Sequence, residues 1–514
     1  MTNKKITLAL VAVSLLYQQS LAQSPGYYKD VFVDGGVHLT GMIDFPAAED
    51  LSLGIEYLST DAEGTQSAAM IANDNDSNGH LLYPDGEPRF RMIYTNGGSS
   101  ASHGYSLGEI GRDRVRSFYH NGGSFMGSCA GAYISSIHCD STGINEAYYG
   151  IWPGRTGSTG LIGSYTGQDI PVNSPLLNYF DFGNDNFIEG VRHNGGCWAN
   201  EEIDFPKKRT EILLRYNIPE RASMHGKAST WAYKPDDQTG RIVVIGSHPE
   251  FEQTGEVFDL AQAMLLYALD GIGSPIVKAD LTNGETRTMD LFAEDSLPEY
   301  TRIGDKQYHH FTLTVPTEAK SLSIELDGED GYDFKLYANP GDFAFENESL
   351  ITSIDEGSDH TMAISLTETG TWYIGVECAT TISSAGVIYW GQTEVLNGIA
   401  YTITATWDTV AVVGVADLPS TPSNFELYGN YPNPFNPSTN VRYSLTEYSN
   451  VRVTIFDVSG RPINHLRDEE QEAGTYNIRW NGTESQGLGV PTGVYFARLE
   501  AGLFSQTIKM LYLK

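Results

Sequence analysis

The first half of the chain alternates short apolar runs with stretches of helical spacing. Residues 241–247 form a nearly continuous apolar run that ends in small residues, as is typical of a buried strand. Residues 256–269 follow with apolar side chains at helical spacing, namely Val257, Phe258, Leu260, Ala261, Met264, Leu265 and Ala268. This alternation predicts an α/β domain over residues 23–275, doubly wound around a mostly parallel sheet with helices on both faces.

The pattern changes to strict apolar and polar alternation after residue 275. Four segments with this alternation are separated by turns rich in Asp and Gly: 321–326, 333–337, 371–376 and 401–405. A period of two is typical of strands that bury only one face. We therefore predict an antiparallel β-sandwich over residues 276–408.

A second β domain is predicted at the end of the chain. Residues 409–423 contain Pro and Ser and have no periodic apolar pattern, which indicates a linker. Alternating segments return at 451–457 and 493–499. Residues 424–514 are therefore expected to form a small immunoglobulin-like β-sandwich.

The N-terminal residues have the pattern of a secretory signal peptide. Lys4 and Lys5 precede a short apolar run over residues 6–16, and Ser20-Leu21-Ala22 provides small residues for cleavage. We therefore expect residues 1–22 to be removed during export. No later apolar segment approaches the length of a transmembrane helix. The chain is expected to pass through the periplasm and to be secreted or held at the cell surface.

Charge and cysteine content narrow the possible partners and folds. The formal net charge is −33, from 65 acidic and 32 basic residues, and such a field repels nucleic acid. There are four cysteines, Cys129, Cys139, Cys197 and Cys378. If Cys129 is a nucleophile, at most one internal disulfide can form, and Cys139–Cys197 is its candidate within one domain. A pair of free thiols at these positions is equally compatible with the sequence.

The most informative motif is Gly127-Ser128-Cys129-Ala130-Gly131. An apolar strand segment precedes Cys129, and a segment with helical character follows it. A cysteine flanked by small residues between a strand and a helix is the thiol form of a nucleophile elbow. The strained turn is expected to present the sulfur above the sheet edge, and the helix N-terminus is expected to favour the thiolate.

A base and an oxyanion site complete the predicted catalytic centre. His248 follows the buried strand at 241–247, and Glu250 is two residues further along, where it can orient the imidazole. Gly97 and Gly98 follow another apolar strand segment. We expect the N–H groups of Gly98 and Ala130 to stabilise an oxyanion.

These motifs together resemble the class I glutamine amidotransferase-like domains. The resemblance is strongest to the branch named after the N-terminal domain of some biotin-protein ligases. It rests on five segments of the chain, at 96–98, 114–118, 121–133, 194–196 and 246–250. It covers about residues 28–272 and implies a flavodoxin-like sheet with Cys129, His248 and Glu250 as the triad. Members that use glutamine usually carry His-Gln after the nucleophile glycine, whereas this chain has Ala132-Tyr133.

The two β domains also resemble known modules. Segments 331–337 and 370–376 are similar to bacterial pre-peptidase C-terminal domains, which accompany secreted hydrolases. The run Asn430-Tyr431-Pro432-Asn433-Pro434-Phe435-Asn436-Pro437 resembles the type A sorting domain of the type IX secretion system. That resemblance implies the outer-membrane secretion machinery as a partner. A generic immunoglobulin-like adhesion module is the alternative.

Weaker patterns suggest further contacts. His103, Asn194 and Trp198 lie in predicted loops at strand ends, and with Gly97 they are candidates to line a substrate cleft. Asp74, Asp76, Asn78 and Asp85 partly match a calcium loop, although Pro84 and the lack of a following helix favour a polar turn. Any calcium bound there would be structural.

The sequence therefore predicts a secreted cysteine hydrolase. The proposed chemistry is cleavage of an amide or peptide C–N bond through a thioester on Cys129, and it requires no cofactor. The expected substrate is a peptide or small amide. Two alternatives stay open: a non-catalytic surface-binding protein on the same fold, and a glutaminase.

Overall fold

The structure is a computed structural model that describes most of the 514-residue chain. The described residues are 26–34, 38–39, 45–57, 80–346, 349–366, 370–381, 393–408, 425–431, 433, 435, 438–471, 473–485, 489–502 and 504–512. The predicted signal peptide (1–22), the predicted linker (409–423) and three of the four candidate calcium ligands, Asp74, Asp76 and Asn78, lie outside these residues.

The described residues of the N-terminal region form twelve strands and five α-helices. The strands are β1 (Lys29–Asp34), β2 (Ile55–Tyr57), β3 (Phe90–Thr95), β4 (Ser124–Ser128), β5 (His138–Cys139), β6 (Arg155–Ser158), β7 (Ile162–Asp169), β8 (Phe187–Asn194), β9 (Cys197–Ala199), β10 (Thr210–Asn217), β11 (Ala228–Tyr233) and β12 (Ile242–Ile245). The helices are α1 (Pro46–Asp50), α2 (Ser100–Ser106), α3 (Gly108–His120), α4 (Ala130–Ser135) and α5 (Glu256–Leu269). Short 3-10 turns occupy Pro175–Asn178, Phe182–Asn184 and Pro249–Phe251.

One half of the main sheet is parallel. Strands β2, β1, β3, β4 and β12 are neighbours in that order, and each adjacent pair is parallel. Strand side chains alternate between two buried clusters. One cluster includes Val115 and Phe118 of α3, and the other includes Leu260 and Met264 of α5. Helices therefore cover both faces of this half, as the alternating pattern predicts.

The other half of the sheet is antiparallel, so the expectation of a mostly parallel sheet holds for only part of it. Beyond β12 the order continues through β11, β10, β7 and β8, and every pair there is antiparallel. The connection from β11 to β12 spans only residues 234–241. A parallel crossover needs a dozen or more residues. A connection this short therefore brings β12 back antiparallel to β11.

Two β domains follow. The first contains β13 (Val277–Asp280), β14 (Thr286–Met289), β15 (Tyr308–Val315), β16 (Ser321–Gly328), β17 (Phe334–Pro340), β18 (Ile351–Ser353), β19 (His360–Ser365), β20 (Gly370–Cys378), α6 (Thr393–Leu396) and β21 (Tyr401–Asp408), with 3-10 turns at Ala293–Asp295 and Pro298–Tyr300. These strands form a five-stranded and a four-stranded sheet. The alternating pattern correctly indicates a sandwich here.

The second β domain contains β22 (Glu426–Tyr431), β23 (Thr439–Leu445), β24 (Ser449–Asp457), β25 (Pro462–Gln471), β26 (Gly474–Trp480), β27 (Gly493–Ala501) and β28 (Phe504–Tyr512). They form a three-stranded and a four-stranded sheet around their own apolar cluster, which includes Tyr443, Val453, Trp480 and Leu499. In the described part of the chain, no helix is long and apolar enough to cross a bilayer.

A buried ionic cluster joins the α/β region to the first β domain. The Lys278 ammonium lies 2.6 Å from Asp85 Oδ2 and 2.9 Å from Glu87 Oε1, and its side chain is almost fully buried. A second buried pair joins Arg89 to Asp305 at 2.9 Å. One apolar cluster also contains residues of both regions. These two parts of the chain therefore share a core, which the sequence analysis did not predict.

Candidate active site

The site forms where two neighbouring parallel strands end. β4 and β12 pair in parallel with Ser128 opposite Ile245. The chain continues to Cys129 after β4 and to His248 after β12. The Cys129 N–H also donates to the Ile245 carbonyl at 2.9 Å. Because carboxyl ends of parallel strands lie at one sheet edge, this register brings the cysteine and histidine together.

Cys129 adopts the strained backbone expected of a nucleophile elbow. Its φ is 47° and its ψ is −99°, in a region that non-glycine residues rarely occupy. The turn needs the flanking glycines. A Cβ on Gly127 would lie 2.7 Å from the Gly131 carbonyl carbon, and a Cβ on Gly131 would lie 2.1 Å from the Thr95 oxygen. The G-x-C-x-G pattern thus follows from the close approach of β3, β4 and α4.

Glu250 holds the imidazole of His248. His248 Nδ1 lies 2.8 Å from Glu250 Oε1, and both side chains are buried. With Nδ1 engaged by the carboxylate, Nε2 is the ring nitrogen left for proton transfer. Glu250 sits in the Pro249–Phe251 turn, whose tight geometry returns its side chain to the histidine two residues earlier.

Two residues that the sequence analysis did not assign extend this chain of hydrogen bonds. Ser128 Oγ donates to the same oxygen of Glu250 at 2.9 Å. Tyr94 Oη and Ser128 Oγ lie 3.0 Å apart. All three side chains are buried. Ser128 precedes the cysteine in the motif, but its contact with Glu250 depends on the pairing of β4 with β12 and is not visible in the motif alone.

The electrostatics of the site favour a charged imidazole. Burial acts to lower the pKa of His248. The nearby Cys129 sulfur and the Glu250 carboxylate, which accepts a hydrogen bond from the ring, outweigh burial and raise this pKa to about 10. His248 is then protonated at neutral pH, and an imidazolium beside a sulfur stabilises a thiolate.

The proposed oxyanion donors follow β3 and β4. Gly97 packs against the imidazole of His248, because a Cβ there would lie 2.3 Å from His248 Cε1. Gly98 has a φ of 145°, and a Cβ there would lie 2.4 Å from the His38 oxygen. Among the described residues, no acceptor is found for the N–H groups of Gly98 and Ala130. The use of these N–H groups by an oxyanion stays a prediction.

The loop after β8 covers the sulfur. The Asn194 carbonyl lies 3.9 Å from Cys129 Sγ, and a Cβ on Gly195 would also lie 3.9 Å from that atom. Cys129 is consequently only 4% exposed, while the Asn194 side chain is exposed. Trp198 is half-buried and packs against Gly157 and a small cluster of Leu161, Tyr216, Ile218 and Met224.

Two other candidates have different roles from those predicted. His103 is fully buried, and its Nε2 lies 2.7 Å from Asp34 Oδ2, so it packs within the domain rather than lining an open cleft. Asp85 accepts hydrogen bonds from the Glu87 N–H at 2.9 Å and from Lys278 Nζ at 2.6 Å, using one oxygen for each. Asp85 therefore serves a local turn through Oδ1 and the domain junction through Oδ2, rather than a calcium loop.

The remaining cysteines are separate thiols. Cys139 and Cys197 are free, as are Cys129 and Cys378, so the disulfide considered from the sequence does not form. Burial is the main cause that raises the pKa of the Cys139 thiol to about 12, and burial also raises that of Cys197. Among the described residues, no group of three or more His, Cys, Asp or Glu side chains is arranged to hold a metal ion.

Comparison with protein-family models yields two matches, both in the β domains. Residues 307–377 match the bacterial pre-peptidase C-terminal domain, and residues 436–502 match the FlgD Ig-like domain. No curated protein matches the chain.

Several solved structures are similar to parts of the chain. A glutamine amidotransferase has 14% identity, covering 46% of this chain and 98% of its own, with a TM-score of 0.29. The pre-peptidase C-terminal domain of a Bacillus anthracis collagenase has 14% identity over 26% of this chain and all of its own, with a TM-score of 0.17. PorZ of Porphyromonas gingivalis, a surface component of the type IX secretion system, has 16% identity over 27% of this chain and 19% of its own, with a TM-score of 0.14.

Similarities at these identities and TM-scores do not assign a function to this chain. Any function must be inferred from its own residues. The β domains are better defined, because a family model supports each of them. The C-terminal one matches an immunoglobulin-like family over most of its strands. The match of residues 307–377 to the bacterial pre-peptidase C-terminal domain model agrees with the resemblance of the strand segments.

Proposed function

We propose that the protein is a secreted cysteine hydrolase of amide or peptide C–N bonds. The observation that carries this proposal is the placement of Cys129, in a strained turn after β4, beside a His248–Glu250 pair at the end of the adjacent β12. A nucleophile, a base and an orienting carboxylate in this order are the parts that acyl transfer needs. The fold that this proposal implies is that of the class I glutamine amidotransferase-like domains.

The proposed reaction proceeds through a thioester. The Cys129 thiolate attacks the carbonyl carbon, and the resulting oxyanion accepts hydrogen bonds from the N–H groups of Gly98 and Ala130. The His248 imidazolium gives its Nε2 proton to the leaving nitrogen as the C–N bond breaks. A water molecule then attacks the thioester while His248 takes its proton, and the C–S bond breaks, which releases the acid and restores the Cys129 thiolate and the His248 imidazolium.

A substrate screen with two cysteine variants tests this proposal. Full-length protein is incubated with peptides, primary amides including glutamine, and esters, and the intact mass is followed for an acyl adduct. Turnover is expected to fall by about 10⁴-fold or more in Cys129→Ala, as for other nucleophile deletions, and to persist in Cys139→Ala.

The other outcomes separate the alternatives. Glutamine hydrolysis that Cys129→Ala abolishes would identify a glutaminase. A ligand bound equally by wild type and Cys129→Ala, with no turnover and no adduct, would identify a binding protein. Turnover that survives in Cys129→Ala would contradict the assignment of the nucleophile.

We also propose that the C-terminal β domain directs passage of the chain across the outer membrane. The proline- and asparagine-rich run at 430–437 supports this, and two of its residues attach the final strand. Asn433 Oδ1 accepts from the Leu511 N–H at 2.8 Å, and the Phe435 ring stacks on Tyr512 with centroids 4.9 Å apart. These two residues of the run are therefore attached to the end of the domain.

Deleting residues 424–514 is expected to retain the protein in the periplasm. The remainder is expected to stay folded, because the deleted domain is organised around its own apolar cluster. Cell fractionation with immunodetection measures the location, and circular dichroism of the purified truncated protein checks its fold. Wild-type amounts of truncated protein in the medium or on the cell surface would contradict the sorting role.

A further inference from the structure

Arg192 is attached to the catalytic strand end through its backbone. It lies in β8, and its carbonyl accepts a hydrogen bond from the His248 N–H at 2.9 Å. Side chains alternate along this part of β8. Val191 and His193 are buried, whereas Arg192 and Asn194 are exposed. Since the Asn194 carbonyl lies beside the Cys129 sulfur, the exposed face of β8 runs along the rim of the site.

An aromatic ring holds the guanidinium near the histidine. The Arg192 guanidinium carbon lies 5.1 Å from the centroid of the Phe251 ring. The Phe251 ring lies 5.6 Å from the ring of His248. An arginine packed on an aromatic ring loses little of its ability to form hydrogen bonds at the edges of its planar group.

The charge of Arg192 has no acidic partner among the described residues, although the chain carries twice as many acidic as basic residues. Three arginines elsewhere in the α/β region are paired with carboxylates: Arg91 lies 3.0 Å from Asp30, Arg155 lies 2.7 Å from Asp204, and Arg215 lies 2.7 Å from Glu201. An unpaired guanidinium at the rim of the site is therefore available to an anionic ligand.

We propose that Arg192 recognises a carboxylate of the substrate, so that the hydrolase acts on amides whose scissile bond lies near a carboxylate group. The guanidinium presents two parallel N–H donors that match the two oxygens of a carboxylate. The carboxylate belongs either to the end of a peptide or to an Asp or Glu side chain. This inference rests on the proposed hydrolase function of Cys129.

The test compares two alkylating reagents that differ in charge. Iodoacetate and iodoacetamide are similar in size and share a leaving group, but only iodoacetate carries a carboxylate. The rate at Cys129 is measured for each by peptide mass spectrometry in the full chain at low salt. The ratio of the iodoacetate rate to the iodoacetamide rate is expected to fall about fivefold in Arg192→Gln, because the attraction between the guanidinium and the reagent carboxylate is lost.

Two variants serve as controls. Arg192→Lys keeps the charge and is expected to retain most of the wild-type ratio. Arg209→Gln removes the same charge from an exposed position just before β10, near the opposite edge of the sheet from Cys129, and is expected to leave the ratio unchanged. A peptide and its C-terminal amide, and Glu and Gln forms of a peptide, then distinguish the two sources of carboxylate once a substrate is found.

The salt dependence of the ratio is a second measurement on the same two proteins. With Arg192 acting locally, high salt lowers the ratio more in wild type than in Arg192→Gln, because the attraction of the His248 imidazolium is common to both proteins. If the net charge of −33 dominates at the site instead, high salt raises the ratio. An equal ratio in wild type and Arg192→Gln, or a ratio that rises with salt, overturns the carboxylate site. Slow labelling of Cys129 by iodoacetamide is a different result, which overturns the proposed function and this inference with it.

Discussion

His248→Gln is expected to slow the alkylation of Cys129 by iodoacetamide about thirtyfold at pH 7. Glutamine cannot carry the positive charge that stabilises the thiolate. An ordinary cysteine thiol, with a pKa of about 8.5, is only about 3% ionised at pH 7, whereas the thiol of a thiolate–imidazolium pair is almost fully ionised. The measurement is the rate at Cys129 relative to the rate at Cys139 in the same sample. Cys139 is a suitable internal reference because burial raises its pKa to about 12.

His120→Gln is the matched control for this variant. His120 is exposed at the end of α3, away from the ends of β4 and β12, and its replacement is expected to leave the rate unchanged. Circular dichroism checks that both variants are folded. Equal rates in wild type and His248→Gln would show that the histidine does not activate the sulfur.

Lys278→Met is expected to lower the free energy of unfolding by about 3–5 kcal/mol at pH 7, as for the loss of one partner from a buried ion pair. Asp85 and Glu87 would then face each other without their common cation. Burial acts to raise the pKa of Asp85, but the charge of Lys278 and hydrogen bonds from His309 and Lys278 hold it well below its usual range. Chemical denaturation followed by tryptophan fluorescence measures the loss.

The loss of unfolding free energy in Lys278→Met is expected to depend on pH. A depressed carboxyl pKa contributes stability that is present above the unfolded value, near 4, and is lost as the pH falls. Burial raises the pKa of Glu87 to about 7, so ionising Glu87 costs stability as the pH rises from about 4.5 to 7. Without Lys278, ionisation of either carboxylate lowers the free energy of unfolding. The loss is therefore expected to be larger at pH 7 than at pH 4.

Lys320→Met and a triple variant control for this prediction. Lys320 is exposed in the same β domain, so its replacement is expected to change stability by less than about 0.5 kcal/mol. Adding Asp85→Asn and Glu87→Gln to Lys278→Met removes the uncompensated charges and is expected to restore much of the loss. A Lys278→Met protein as stable as the Lys320→Met protein would mean that the two regions do not depend on this cluster.

The proximity of Cys129 to His248 can be predicted from the sequence because it depends on strand ends. Buried strands can be identified from apolar runs, and residues that follow neighbouring parallel strands meet at one edge. Cys129 and His248 meet in this way, since β4 and β12 are adjacent. Glu250 needs only a short local turn to reach His248. Whether the assembled residues perform the proposed chemistry stays a prediction.

Contacts that depend on packing were not predictable in the same way. The hydrogen bond from Ser128 to Glu250 requires the register of two strands that are far apart in the sequence. His103 lies in a loop-like, polar segment, but α2 forms there and buries its ring against Asp34. Asp85 has acidic neighbours in the sequence, but its partner Lys278 is almost two hundred residues away. Spacing along the chain contains no information on such partners.

The pH dependence of the alkylation of Cys129 by iodoacetamide tests the central claim most directly. His248 keeps its proton up to a pKa of about 10 when Cys129 and Glu250 are beside it. The rate in wild type is therefore expected to depend less on pH between about pH 6.5 and 9 than the rate in His248→Gln, in which no cation is left beside the sulfur. A wild-type rate that rises with the same midpoint as His248→Gln would contradict a thiolate–imidazolium pair at this site.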